Sequence, residues 1–294
     1  MLKVTKQGSN ESSILLDSSL IVATSLKTYD LKLVDCGEYT QVYLYENSKT
    51  KKEKDDELKL TKLKKCSEEK TKDNNLKVIE KKNIIRSKLE CQRLAKTNMC
   101  EWKTFITLTF KENVTDITQA NKRYHAFITK VQRVKKDFKY ICIPEFQKRG
   151  AVHYHLLTNI DIDDKSLIYV QEDNLKFKHI KYWNDGFTSV EQMKGDTKKI
   201  VGYISKYMTK DIDNRLFNRH RYFYSKNLRK PQTSYIDLNE LKHKEFYIKK
   251  LQEKDLIFER EYINPYNNES VQFLEYLTQS NYTKADTDFQ EKGV

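Results

Sequence analysis

Hydrophobic and polar positions repeat with two different periods along this chain, and the changes of period mark its elements. Short β-type runs come first, at residues 13–16, 20–24, 31–34 and 40–45, with the turn residues Asp17, Ser18, Ser19, Cys36 and Gly37 between some of them. Residues 48–82 are dense in Lys, Glu and Asp and poor in apolar side chains, the pattern of a linker or a solvated helix face. From 79 to 98 the apolar residues Ile84, Ile85, Leu89 and Leu94 lie near helical spacing with no Gly or Pro, which predicts a helix. Residues 102–110 predict a strand with Phe105, Thr107 and Thr109 on one face and Ile106, Leu108 and Phe110 on the other. Residues 120–134 return to helical spacing through Tyr124, Phe127, Ile128 and Val131, with Lys122, Arg123, Lys130 and Arg133 around them.

The stretch 145–155 reads E-F-Q-K-R-G-A-V-H-Y-H and is flanked by β-favouring residues on both sides. Lys148, Arg149 and Gly150 form a turn signal, because Gly150 can take a positive φ. A hairpin centred near Arg149 sets Gln147 opposite Ala151, Glu145 opposite His153 and Ile143 opposite His155. Strand side chains alternate, so His153 and His155 share a face and Glu145 joins them there; a slip of one residue would send Glu145 to the other side. Two imidazoles and a carboxylate on a rigid sheet are a ligand set for a divalent metal with positions open to substrate. A His-x-His in a strand is also commonly just two half-exposed polar positions.

Beyond it the chain shows an acidic turn at 161–165, a turn at Trp183, Asn184, Asp185 and Gly186, and a short strand at 187–193. Asp196 is then an N-cap for a helix in which Ile200, Tyr203, Ile204, Tyr207 and Met208 fall on one face. Tyr203 and Tyr207 are one turn apart, and Lys206 and Lys210 each follow a tyrosine by three residues. Half-buried core tyrosines would give a similar stripe, though not the tandem repeat with lysine. Next, Arg215, Arg219, His220, Arg221, Tyr222, Phe223, Tyr224, Lys226, Arg229 and Lys230 interleave cations with aromatics before Pro231, which suits phosphate contact with base stacking as well as a plain basic loop. The chain after about Tyr235 is charge-mixed, with a predicted helix near 238–254 and a frayed tail.

Composition changes this picture in one direction. A formal net charge of +13 over 294 residues speaks for nucleic acid as partner, with an anionic membrane surface as the competitor. No apolar run approaches the roughly 18 residues of a membrane span, and no signal-peptide pattern follows Met1, so the expected setting is cytoplasmic without membrane attachment. The five cysteines are scattered with no C-x-x-C, as expected of reduced thiols and not of a zinc ribbon. The expected organisation is a small β-rich region at 1–48, a charged linker and helix at 49–99, a catalytic domain at 100–232 and a charged region at 233–294.

A phenol is a weak nucleophile at neutral pH and becomes useful when its target is strongly polarised, as a phosphodiester on a divalent ion is. A neighbouring lysine stabilises the developing negative charge. Three ordered segments carry a resemblance. F-I-T-L-T-F at 105–110 with Asn113, H-Y-H at 153–155 and Y-I-S-K-Y-M-T-K at 203–210 resemble the motifs of the HUH endonuclease superfamily, and within it the two-tyrosine rolling-circle replication initiators of plasmids and single-stranded DNA phages. The tyrosine in H-Y-H stands where that family usually has a bulky apolar residue, and E-F-Q-K-R-G at 145–150 is similar to its approach to the histidines. The likeness covers about residues 100–230.

The resemblance implies an α+β fold: an antiparallel sheet of ferredoxin/RRM-like type with flanking helices, plus helical and small β appendages. It implies Glu145, His153 and His155 as ligands of Mg²⁺ or Mn²⁺, and Tyr203 and Tyr207 as nucleophiles assisted by Lys206 and Lys210. The implied reaction is site-specific nicking of single-stranded or hairpin origin DNA through a 5′-phosphotyrosine, followed by rejoining. Lys148, Arg149, Arg219, Arg221, Lys226 and Arg229 are the expected DNA contacts. No P-loop pattern occurs, so a helicase partner would be a separate host protein. A mobilisation relaxase or single-strand transposase shares the chemistry. A non-catalytic basic DNA- or RNA-binding regulator, and a metal hydrolase using water, are the readings of other classes.

Overall fold

The computed structural model describes residues 28–50, 72–171, 174–193, 220–238, 254–263 and 268–277, with the isolated positions 202, 249 and 251. The β-type runs at 13–16 and 20–24, the tyrosine helix after Asp196, most of the helix predicted near 238–254, and the tail lie outside the described residues. What is described is α+β and mostly strand, in two sheets whose strand pairs are all antiparallel.

The larger sheet has seven strands: β3 (Thr104–Thr109), β4 (Tyr140–Phe146), β5 (Val152–Thr158), β6 (Ile168–Gln171), β7 (Asn174–Ile180), β8 (Thr188–Gln192) and β9 (Phe223–Tyr224). Their order is β6-β7-β8-β3-β5-β4-β9. Helix α2 (Ile117–Val134) connects β3 to β4, and β5 lies between those two strands, a split β-α-β arrangement. Asp116 starts α2 by accepting the Thr118 N–H at 2.8 Å, three residues ahead of the start that apolar spacing predicts. The apolar face of α2 packs Tyr124, Phe127, Ile128 and Val131 on Ile106, Leu108, Cys142, Val152, Tyr154 and Leu156. Tyr124 stacks on Tyr154 with ring centroids 4.6 Å apart, and the Tyr154 hydroxyl donates to Asn121 at 2.7 Å. Each of these large buried side chains contributes about 1.5–3 kcal/mol by leaving water.

The opposite face of the sheet is covered at one end by helix α1 (Lys72–Thr97). Its buried ridge is Cys91, Leu94 and Ala95, continued by Asn98, at i, i+3, i+4 and i+7. Ile85, on the expected apolar stripe, is instead 66% exposed. The ridge rests on Trp102, Phe105, Ile141, Ile143 and Leu157. Asn98 is fully buried and satisfied: it donates to the carbonyls of Leu94 and Arg229 and accepts the Arg229 N–H, each at 2.9 Å.

The smaller sheet brings together strands from the two ends of the chain: β1 (Thr28–Cys36), β2 (Tyr39–Thr50), β10 (Gln232–Ile236), β11 (Asp255–Ile263) and β12 (Ser270–Leu277), in the order β10-β1-β2-β12-β11. Two regions expected to be separate appendages therefore share one sheet. Its packing on α1 is polar. Arg93 donates to Gln41 and Tyr43 at 2.8 and 2.7 Å, and Lys96 meets Glu275 at 2.5 Å. Helix α1 thus buries an apolar ridge on the larger sheet and an ionic row on the smaller one. Cys36, Cys91 and Cys142 are buried free thiols and Cys100 is an exposed one. Among the described residues no helix is long and apolar enough to cross a membrane.

Candidate active site

The hairpin β4–β5 has the register expected from its turn. Glu145 lies opposite His153 and Ile143 opposite His155, and Gln147 N–H donates to the Ala151 carbonyl at 2.9 Å. Gly150 closes the turn with φ +88°, a conformation costly for residues with a Cβ. On the other side of β5, Thr107 of β3 lies opposite His155 and Thr109 opposite His153. Alternation then puts Thr107, Thr109, His153, His155, Ile143 and Glu145 on the face that α1 covers at its apolar end. Val152, Tyr154 and Leu156 point the other way into the α2 core.

The two histidines are buried and held. His155 is 6% exposed, and its Nε2 lies 2.6 Å from a Glu145 oxygen, with Glu145 itself 11% exposed. Its Nδ1 is 3.3 Å from Thr107 Oγ1, and its ring lies nearly parallel to Phe105 with centroids 5.8 Å apart. Phe105 and Thr107 of the first motif therefore orient His155, a task that motif spacing alone does not assign them. The signal is present in their alternation on the same strand face. His153 Nδ1 lies 3.3 Å from the Gln147 amide, and the Gln147 carbonyl oxygen in turn accepts from Arg149 at 3.1 Å. The exposed hairpin tip is thereby linked to the buried ring.

The donors fit a hard divalent ion in type: two imidazoles and a carboxylate on one rigid face. As they stand, they are arranged for one another. Glu145 accepts the Nε2 proton of His155, and the ring centroids of His153 and His155 are 6.5 Å apart, against about 5 Å for two imidazoles sharing a tetrahedral ion. Among the described residues no three His, Cys, Asp or Glu side chains converge closely enough to hold an ion without movement. Ligation requires two side-chain rotations. Glu145 must turn off His155, and the Gln147 amide must flip so that its oxygen takes the His153 Nδ1 proton and leaves Nε2 the donor.

Of the other expected site residues, Lys148 and Arg149 are exposed at the hairpin tip. Arg221, Lys226 and Arg229 flank β9, the edge strand beside β4, and Arg229 reaches Cys100 Sγ at 3.3 Å. Tyr203, Lys206, Tyr207, Lys210 and Arg219 lie outside the described residues.

An antiparallel sheet presenting buried imidazoles and an acid next to a cation-rich edge is the architecture of a phosphate-directed site. Comparison with known proteins agrees at a coarser level. Residues 103–212 match a family of replication-associated proteins, that of the ORF2 type. This segment begins at the start of β3 and contains Glu145, His153 and His155 as well as the two tyrosines. The chain is also 30% identical over 127 residues to the phasyl DNA replicon protein arp of Escherichia coli. That alignment covers 38% of this chain and 44% of the relative, so the match spans less than half of the relative's length. No solved structure matches. The chain is therefore similar to replication initiators over the segment that carries the site.

Proposed function

We propose that this protein initiates rolling-circle replication by nicking and rejoining one DNA strand through a 5′-phosphotyrosine. The observation that carries the reading is the register of the hairpin: Glu145, His153 and His155 meet on one sheet face inside the segment similar to replication-associated proteins. The split β3-α2-β4 unit with β5 between its strands supports a sheet of the ferredoxin-like, HUH type.

In this reading His153, His155 and Glu145 hold Mg²⁺ or Mn²⁺, which when bound supplies charge withdrawal at the non-bridging oxygens of the scissile phosphate. Thr107 and Phe105 keep His155 in place, and Gln147 does so for His153. The phenol oxygen of Tyr203 or Tyr207 attacks phosphorus. The bond from phosphorus to the 3′ oxygen breaks, and the phenolic proton ends on that oxygen. Lys206 and Lys210 stabilise the charge that develops on the way. The phosphotyrosine conserves the bond energy, so the freed 3′ hydroxyl can reverse the step and close a circle. Lys148, Arg149, Arg219, Arg221, Lys226 and Arg229 neutralise the backbone of single-stranded or hairpin origin DNA, and unwinding falls to a separate host helicase.

The test is to mix the protein with Mn²⁺ and labelled single-stranded DNA from its own locus and look for an adduct that survives denaturation. Wild type is expected to form it. His153→Ala and the Tyr203→Phe, Tyr207→Phe double variant are expected not to. An adduct formed by the double variant would refute the tyrosine assignment, and salt-sensitive binding with no adduct would leave a non-catalytic regulator.

A further inference from the structure

The cation-rich edge beyond β4 carries an arrangement that the nicking chemistry does not use. Strand β9 pairs with β4, Tyr224 opposite Ile141 and Phe223 opposite Cys142. Phe223 points into the α2 side, where it packs on Tyr124 and His125. Tyr222 and Tyr224 therefore lie on the other face, the face of Ile141, Ile143 and the two histidines. Tyr222 packs against the α1 side of that face. Continuing the β9 register by one residue brings Tyr222 beside Ile143, which is the residue opposite His155.

The two rings stack on each other with centroids 5.7 Å apart and planes 28° from parallel. The Lys230 ammonium sits 3.7 Å from the Tyr224 centroid. Tyr224 is 40% exposed, unusual for a ring held this firmly in a sheet. Burial raises the Tyr222 phenol above its ordinary value, and the nearby Cys91 and Glu90 side chains add to the shift, so it remains neutral and a poor nucleophile. Glu90 is the one carboxylate in that set of neighbours. Lys226, Arg229 and Lys230 follow within six residues of Tyr224 and are all exposed.

We infer that Tyr222, Tyr224 and Lys230 form a stacking platform for bases of single-stranded DNA, which holds the strand alongside the histidine face. This rests on the proposed function only in taking DNA as the nucleic acid. A base laid on Tyr224 takes the place of the Lys230 ammonium, which moves to the adjoining phosphate. Aromatic stacking accepts any base, so the platform adds affinity without sequence preference and leaves origin choice to other contacts. Because β9 is hydrogen-bonded to β4, the platform and Glu145 belong to neighbouring strands, and the strand's path is fixed relative to the scissile position.

The experiment titrates the full chain into a fluorescein-labelled oligothymidylate of about 12 nucleotides in EDTA, reading anisotropy, so that binding is separated from cleavage. Loss of one stacked base corresponds to about a 5- to 150-fold weaker Kd. Tyr224→Ala is expected to fall in that range for the single strand and to leave a duplex of the same length little changed. Tyr224→Phe, which keeps the ring, is expected to restore binding. Lys230→Gln is expected to lower the slope of log K against log salt by about 0.7. Tyr169→Ala is the control, since Tyr169 is 39% exposed on β6, at the opposite edge of the sheet. A Tyr224-dependent titration with no adduct in the nicking assay supports the platform while sinking the nickase. Equal affinity of wild type and Tyr224→Ala, equal losses for duplex and single strand, or tighter binding of an oligouridylate would overturn the inference.

Discussion

Replacing Glu145 with Gln keeps the shape of the side chain and removes its charge, which separates two roles that this carboxylate can play. In the structure it accepts from His155 Nε2 at 2.6 Å with both side chains nearly buried. A hydrogen bond to a charged group is worth about 1.5–3 kcal/mol, against about 1 kcal/mol for a neutral pair. The metal-free Glu145→Gln protein should therefore lose about 1 kcal/mol, or roughly 2–4 °C in Tm. Mn²⁺ then distinguishes the roles. An ion present at a hundred times its Kd stabilises the native state by about 2.7 kcal/mol, which at the same conversion is about 5–10 °C. Wild type is expected to show that shift in calorimetry with millimolar Mn²⁺ relative to EDTA, and Glu145→Gln is expected to lose most of it while remaining folded. Should the variant keep the full shift, Glu145 serves only to position His155. Should wild type show no shift with Mn²⁺ or Mg²⁺, the metal reading itself fails.

Asn98→Ala removes three hydrogen bonds from a fully buried side chain and should cost about 2–3 kcal/mol in urea unfolding, with added mobility of the segment at Arg229. Gly186→Ala would bring a Cβ to 2.3 Å from the Thr109 carbonyl oxygen and 2.5 Å from Lys111 N, so backbone must shift; a loss of about 2 kcal/mol and reduced adduct formation are expected, and an unchanged urea midpoint would contradict the close approach. Burial pushes the Cys36 thiol up to about 11 from its ordinary 9.0. A raised folded-state pKa means stability present below pH 9 and lost as pH climbs through 11, so wild type should lose on the order of 2 kcal/mol more than Cys36→Ala between pH 8 and pH 11.

The hairpin register was legible because it depends on local signals: a glycine where φ must be positive, and alternation on both sides of it. The same locality made β3 and α2 legible. The smaller sheet was not, because β1 and β10 pair Leu31 with Ile236 across some two hundred residues of sequence, and alternation says that a segment is a strand without naming its partner. The β6–β7 hairpin escapes a reading by apolar runs, although Leu175, Phe177 and His179 alternate with Lys176 and Lys178 in the sequence. The resting contact between Glu145 and His155 is not legible either. Register places two side chains on one face, but rotamers and protons decide whether they bind each other or an ion.

The division of the sheet face explains how one surface can be both core and site. At one end Phe105, Ile141 and Leu157 meet the α1 ridge, and at the other Thr109, His153 and Glu145 extend beyond that cluster. His155 stands at the boundary, with an aromatic ring on one side and a carboxylate on the other. Its low exposure therefore comes from the same packing that fixes its direction, and a change to the α1 ridge should reach the site through Phe105. Cys91→Ala leaves every polar contact in place and removes only the sulfur from a fully buried position in that ridge. If the ridge positions His155, the variant should weaken Mn²⁺ stabilisation more than overall stability. Equal losses in the two measurements would mean that the helix supports the fold without tuning the site.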